Sequence, residues 1–382
     1  MHYPPRKFPR TILAAIAACV GAIAAPAVAT AAQSHDAGYV YVDDNTSGQN
    51  TVAAFARHQD GTLTPVAGSP FNAGGAGSGS GLASQGAVQV SSDGRYVIAV
   101  DPGSSQVSVL RIRHDGTLKL VSVVSSGGVE PVSVAEHDGL VYVADAGAGG
   151  SNYTGFTLNR GGQLEPLADS TIALPDSAQP GDVLFNSTGS NLVGTRVGSS
   201  EIDSFSVGSE GRLTAAPGSP FAAQAAGPFG SEFRPTDPSQ LFVSNAHAGP
   251  GNGTASAFSV ASDGTLSSIG ASPFADQQTA PCWVEITHDG QFLFTVNTGS
   301  GSISRYSIAL DGTLTLLGST QVASQAAVGA VDARLSADGQ TLYVDESRIA
   351  ALGAFAVDGG QLTELGSVSL PAGATPAGVA VR

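Results

Sequence analysis

An all-β fold, a seven-bladed β-propeller of four-stranded blades, is what the sequence predicts. Three observations carry that expectation: a tight turn followed by leucine recurs seven times, short alternating runs fill the intervals, and the chain finishes on a strand whose counterpart is missing at its start. The turns are Asp60-Gly61-Thr62-Leu63, Asp115-Gly116-Thr117-Leu118, Gly161-Gly162-Gln163-Leu164, Glu210-Gly211-Arg212-Leu213, Asp263-Gly264-Thr265-Leu266, Asp311-Gly312-Thr313-Leu314 and Gly359-Gly360-Gln361-Leu362. Their spacings of 55, 46, 49, 53, 48 and 48 residues match the period that a four-stranded blade requires.

Each repeat carries an earlier turn as well, for example Ser92-Asp93-Gly94, His288-Asp289-Gly290 and Ala337-Asp338-Gly339, followed by a β-rich run such as Tyr96 to Val100 or Leu293 to Val296. After a polar loop comes a strand with apolar residues at every second position, as in Gln106-Val107-Ser108-Val109-Leu110 and Ser302-Ile303-Ser304-Arg305-Tyr306. That period suits strands packed between neighbouring sheets. The unit is therefore inner strand, Asp-Gly turn, second strand, loop, third strand, Asp-Gly turn, outer strand. Asp-Gly favours tight hairpins because Gly tolerates positive φ and Asp bonds its own backbone. The nine Asp-Gly pairs thus give nine of the 31 acidic residues a structural task. The first blade begins near Tyr39 on its second strand, and Pro376-Ala377-Gly378-Val379-Ala380-Val381 ends the chain as an inner strand. Joining the two closes the ring and removes exposed sheet edges.

The N-terminus has Arg6, Lys7 and Arg10, an apolar run from Thr11 to Ala29, and no acid before Asp36. This is the layout of a secretory signal peptide, expected over residues 1–32, with the propeller domain over 33–382 and the protein secreted. Ala29-Thr30-Ala31 offers the cleavage site. Ile16-Ala17-Ala18-Cys19 raises lipoprotein anchoring through Cys19 as a minor alternative, and Pro26 interrupts the run before it could span a bilayer. Loss of residues 1–32 removes three of 16 basic residues and no acid, leaving a charge of −18. So acidic a surface repels nucleic acid and anionic membranes. With Cys19 gone Cys282 is alone, so no intrachain disulfide supports the fold, and a monomer is expected.

The repeat, with Gly-Ser-Pro-Phe outer loops at Gly68 to Phe71 and Gly218 to Phe221 and the variant Ala271-Ser272-Pro273-Phe274, resembles the lactonase family of seven-bladed propellers. That family includes 6-phosphogluconolactonase-like and carboxymuconate-lactonising enzymes, and the resemblance spans residues 39–382. It implies a small-molecule partner, namely a lactone, sugar or organic acid. Two polar motifs of the sugar-lactonase branch are replaced. Ser84-Gln85-Gly86-Ala87-Val88 stands where that branch has His-x-His, and Gly227-Pro228-Phe229-Gly230 stands where it has Gly-Pro-Arg-His.

No nucleophile elbow, His-x-x-x-His or phosphate-binding loop is present, so catalytic residues remain unassigned. Cys282, beside Trp283 at an inner-strand start, reads as a small buried hydrophobe. His58, His114, His137 and His288 precede hairpin turns, whereas His247 lies in the Gly-rich loop Asn245 to Asn252 on the channel-mouth face. Glu130, Asp182, Glu232, Glu285 and Asp332 fall at inner-strand starts. They would either converge on the channel, to hold a polyhydroxyl ligand or a hard cation such as calcium, or bond amides of the adjacent blade. No motif specifies a metal, so no cofactor is expected. Trp283 would stack on a sugar ring or pack between blades. The candidate ligand-binding set is Glu232, His247, Trp283, Glu285 and Asp332. Two functions follow: an exported propeller hydrolysing or forming a small lactone, or a non-catalytic extracellular binding propeller.

Overall fold

The computed structural model describes residues 1–5, 37–323 and 329–382. Most of the expected signal peptide lies outside them. The chain forms two units, Met1–Ser34 and His35–Arg382. The second is a ring of seven antiparallel sheets. Its inner strands, one per blade, are Gly378–Val381, Val88–Val90, Pro131–His137, Pro180–Phe185, Pro228–Arg234, Pro281–Ile286 and Ala330–Leu335 for blades 1 to 7. Closure is as the sequence predicts: Gly38–Asp43 pairs with Gly378–Val381, with Val40 opposite Val381 and Val42 opposite Val379.

The hairpins show why the turn residues recur. Asp60 Oδ1 accepts from the Thr62 amide at 3.0 Å and from its hydroxyl at 2.6 Å, while Gly61 sits at φ 82°. These bonds hold the Asp60 carboxyl below its ordinary pKa. The Ser-Pro-Phe loops have a parallel logic. Ser69, Ser219 and Ser272 each accept, through the hydroxyl, the amide of Ala54, Ser204 and Ala257 on the blade's third strand. A short strand beginning at the Phe then pairs with that same third strand.

Blades are stitched by a repeated bond from one blade to the outer turn of the next. Tyr41 OH donates to the Gly116 carbonyl, Tyr96 to Arg160, Tyr142 to Gly211 and, across the closure, Tyr343 to Gly61. All four rings are fully buried. Burial lets the phenol body pack while its hydroxyl finds a partner, as a buried tyrosine requires. Elsewhere Ser204, Arg234 and Arg305 make the equivalent link.

Candidate functional site along the central channel

The inner strands enter from the face that carries the loops between second and third strands and run toward the opposite face, where those of blades 2 to 7 turn into their second strands, in blades 2, 3, 6 and 7 through Asp-Gly turns. The channel therefore has a loop mouth and a turn mouth. Between them lies a plug that the sequence does not advertise. Residues 84–86, on the approach to blade 2, cross toward the far side of the ring. The Gln85 amide donates to the Gly181 carbonyl of blade 4 at 2.8 Å, and its side chain donates to the Ser231 carbonyl of blade 5 at 2.8 Å. Gln85 Oε1 accepts the Val284 amide of blade 6 at 2.9 Å, and the Trp283 indole N–H donates to the Ser84 carbonyl at 2.7 Å. The Gly86 carbonyl accepts from Val134 of blade 3. Gln85, at 2% exposure, thus satisfies all its side-chain bonds across the axis.

Gly230 makes room for this crossing. A Cβ there would collide with Gln85 Oε1 and stand 2.7 Å from the Cys282 carbonyl oxygen. Both departures from the sugar-lactonase pattern thus belong to one feature. The residues replacing His-x-His supply the plug, and Gly230, replacing the His of Gly-Pro-Arg-His, receives it.

On the loop side of the plug is a cavity of about 300 Å³. Leu82, Val132, Ala146, Pro180, Val197 and Phe229 provide its apolar wall. Glu130, Gln179 and His247 are the polar groups beside it. Among the described residues no Lys or Arg lines it. Phe229, in place of the branch's Arg, is buried and meets Trp283 with ring centroids 5.4 Å apart. His247 is exposed on the rim, its amide donating to the Ala226 carbonyl.

Glu130 apart, the acids lie at or below the plug, and the five expected ligand residues do not share one site. Glu232 pairs with Phe242, five residues before His247, which puts the two about 16 Å apart along an extended strand. Trp283 is 3% exposed and anchors the plug. Three acids take the structural option. Asp182 accepts the Ser231 amide of the next blade at 2.9 Å, Glu285 accepts Leu335 at 3.2 Å, and Asp332 accepts Val379 at 3.3 Å. Burial still pushes Asp182 up to about 7 and Asp332 up to about 6, because desolvation penalises the charged form more than these bonds favour it. Glu130 is exposed on the loop face with φ 57°.

Glu232 differs, since its described partner is Arg334, with Oε2 3.6 Å from Nη1. Arg334 also lies 3.2 Å from Glu285 Oε2. Burial, then the Glu285 charge, raises the Glu232 pKa, while the surrounding carboxylates hold Arg334 firmly protonated. Sequence reasoning passed over Arg334, although a cation on an inner strand among acids is a readable signal. Cys282 donates to the Ala280 carbonyl, and burial drives its thiol up to about 12, which suits a packing residue and not a nucleophile. Among the described residues no group of three or more His, Cys, Asp or Glu side chains is arranged to hold a metal ion, and no helix is long and apolar enough to cross a membrane.

Fold and site define a closed propeller with a plugged axis and a cavity at its loop mouth. The chain belongs to the lactonase, seven-bladed β-propeller family, whose sequence profile matches residues 31–176 and 190–376. The gap between those stretches covers the inner strand of blade 4, with Asp182 and the cavity residues Gln179 and Pro180. In structure the chain is similar to a candidate 6-phosphogluconolactonase from Bacteroides fragilis, at 20% identity and TM-score 0.71 over 92% of this chain and 99% of that one. A second candidate 6-phosphogluconolactonase, from Bacteroides uniformis, aligns at 20% identity and TM-score 0.71 over 91% and 100%. The periplasmic gluconolactonase of Pseudomonas aeruginosa aligns at 16% identity and TM-score 0.69 over 90% and 98%. At these identities the likeness is one of fold. No curated protein sequence matches the chain.

Proposed function

We propose that this is an exported lactonase-family propeller that binds a small, uncharged lactone or related ring compound in the loop-mouth cavity. The observation that carries the reading is the lining itself. An apolar wall with Phe229 where the sugar-lactonase pattern has Arg, and with no cation among its described lining residues, offers an anionic sugar phosphate no counter-charge. It offers an uncharged ring apolar burial worth about 25 cal/mol per Å² removed from water. A cavity near 300 Å³ is at the small end of ligand pockets. His247 on the rim favours a second reading, ring opening with imidazole as general base toward water.

Thermal shift tests the first reading, because a ligand that binds only the folded chain raises the melting midpoint by mass action. γ-Nonalactone should raise it saturably and 6-phosphogluconolactone should not; the reverse order overturns the assignment. A pH-stat assay on the same lactone separates the readings, ring opening that is lost in His247→Ala being the mark of catalysis. Export is checked by mass spectrometry of the secreted protein, which should begin within a few residues of Ala32; an intact Met1 or a lipid on Cys19 would contradict it.

A further inference from the structure

The turn mouth of the channel carries a second constellation that the loop-mouth cavity does not use. Gln89, Glu232, Glu285 and Arg334 pair with Ile98, Phe242, Phe294 and Tyr343, the same rung of blades 2, 5, 6 and 7. They therefore stand at one level around the axis. Their bonding is incomplete. Among the described residues the Arg334 guanidinium makes no hydrogen bond, only ion pairs at 3.2 Å to Glu285 Oε2 and 3.6 Å to Glu232 Oε2; those two oxygens are closed to solvent, whereas Oε1 of Glu232 is open and accepts no bond. Arg334 and Glu232 keep 21% and 18% side-chain exposure, so water reaches both. Buried polar groups are ordinarily satisfied, and a guanidinium carries five donors fixed in a planar fork. The spare Arg334 donors and the open Glu232 Oε1 at one level suit something that both accepts and donates.

Charge narrows the class. Arg334 at the centre repels a metal ion or an ammonium group. Its one positive charge is already shared by Glu232 and Glu285, so an anion finds no free counter-charge. We infer that the turn mouth binds a neutral polyhydroxyl molecule, a sugar or polyol, whose vicinal hydroxyls accept from Arg334 and donate to Glu232. The site is separate from the loop-mouth cavity, because the bonded segment 84–86 lies between them.

The test uses myo-inositol as the neutral probe, D-gluconate as the anionic one and calcium chloride as the cationic one, by saturation-transfer NMR and calorimetry on the folded propeller. The expected result is saturable inositol binding that Glu232→Gln weakens at least tenfold and His247→Ala leaves unchanged. Glu232→Gln keeps the side chain's shape, so it decides the matter even where Arg334→Met fails to fold. Absence of inositol binding, inositol binding that survives Glu232→Gln, loss of it in His247→Ala, or a Glu232-dependent preference for gluconate or calcium would each overturn the inference. Failure of γ-nonalactone to bind would bear only on the loop-mouth cavity.

Discussion

The two mouths of the channel are built from the same seven strands and have opposite chemistry. At the loop mouth the inner-strand starts contribute Val132, Pro180 and Phe229, and the site is apolar with polar groups at its rim. At the turn mouth, a few residues further along the same strands, Glu232, Glu285 and Arg334 meet in a charged cluster with unfilled bonds. A strand crossing a propeller exposes different positions to the axis at each level, so one end can be rebuilt while the other keeps its own chemistry. The plug is what lets the contrast persist, since it places fully bonded backbone and the Gln85 amide between an apolar space and a buried charge.

The strongest way to break this comparison is to remove the plug's anchor. Trp283→Ala deletes a nearly fully buried indole and the bond to the Ser84 carbonyl, at a cost of about 3–5 kcal/mol, a range set by large-to-small core substitutions. Denaturant unfolding measures it, and ligand responses should fall at both mouths together. A loss below about 1 kcal/mol would mean that the plug is not held by Trp283.

Proton linkage gives the next largest effect. Burial raises Asp182 from near 4 to about 7, so the folded state holds a proton that the unfolded chain releases. Stability is therefore greatest at the acidic end of this window and is lost as pH rises from about 4 through about 7, by an amount on the order of 4 kcal/mol for a shift of this size. Asp182→Asn should flatten that slope in melting curves recorded across the window. A slope that persists unchanged would assign it to the other carboxyls that burial raises, among them Asp44, Asp145, Asp276, Asp332 and Glu232.

Gln85→Ala is smaller. It leaves the Val284 amide and the Ser231 carbonyl without their partner, a penalty of about 1–3 kcal/mol, and hydrogen exchange at Val284 should accelerate. Protection at Val284 equal to the parent's would show that the crossing segment does not seal the axis.

Smallest in stability but sharpest for the comparison is Phe229→Arg, which returns a cation to the loop mouth. Calorimetry should then show at least tenfold weaker γ-nonalactone binding and new affinity for D-gluconate, with myo-inositol binding at the turn mouth unaltered. An unchanged lactone affinity would separate the cavity from Phe229.

Much of this molecule was legible before any coordinates. Seven turn-plus-leucine signals, the strand period and the unmatched terminal strand determined a closed seven-bladed ring, because hairpin geometry and alternating burial are local properties of sequence. The replacement of His-x-His and of Arg-His was also visible, as was the gathering of acids on inner strands. What only the tertiary structure decided is how those residues divide. Asp182, Glu285 and Asp332 turn to amides of the next blade while Glu232 turns to Arg334, and His247 stands a strand's length away. Gln85 bonds Ser231, 146 residues distant, and Val284, 199 residues distant. No local pattern encodes such partners. They depend on where the ring, once closed, brings separate blades to the axis, which is a property of the assembled fold.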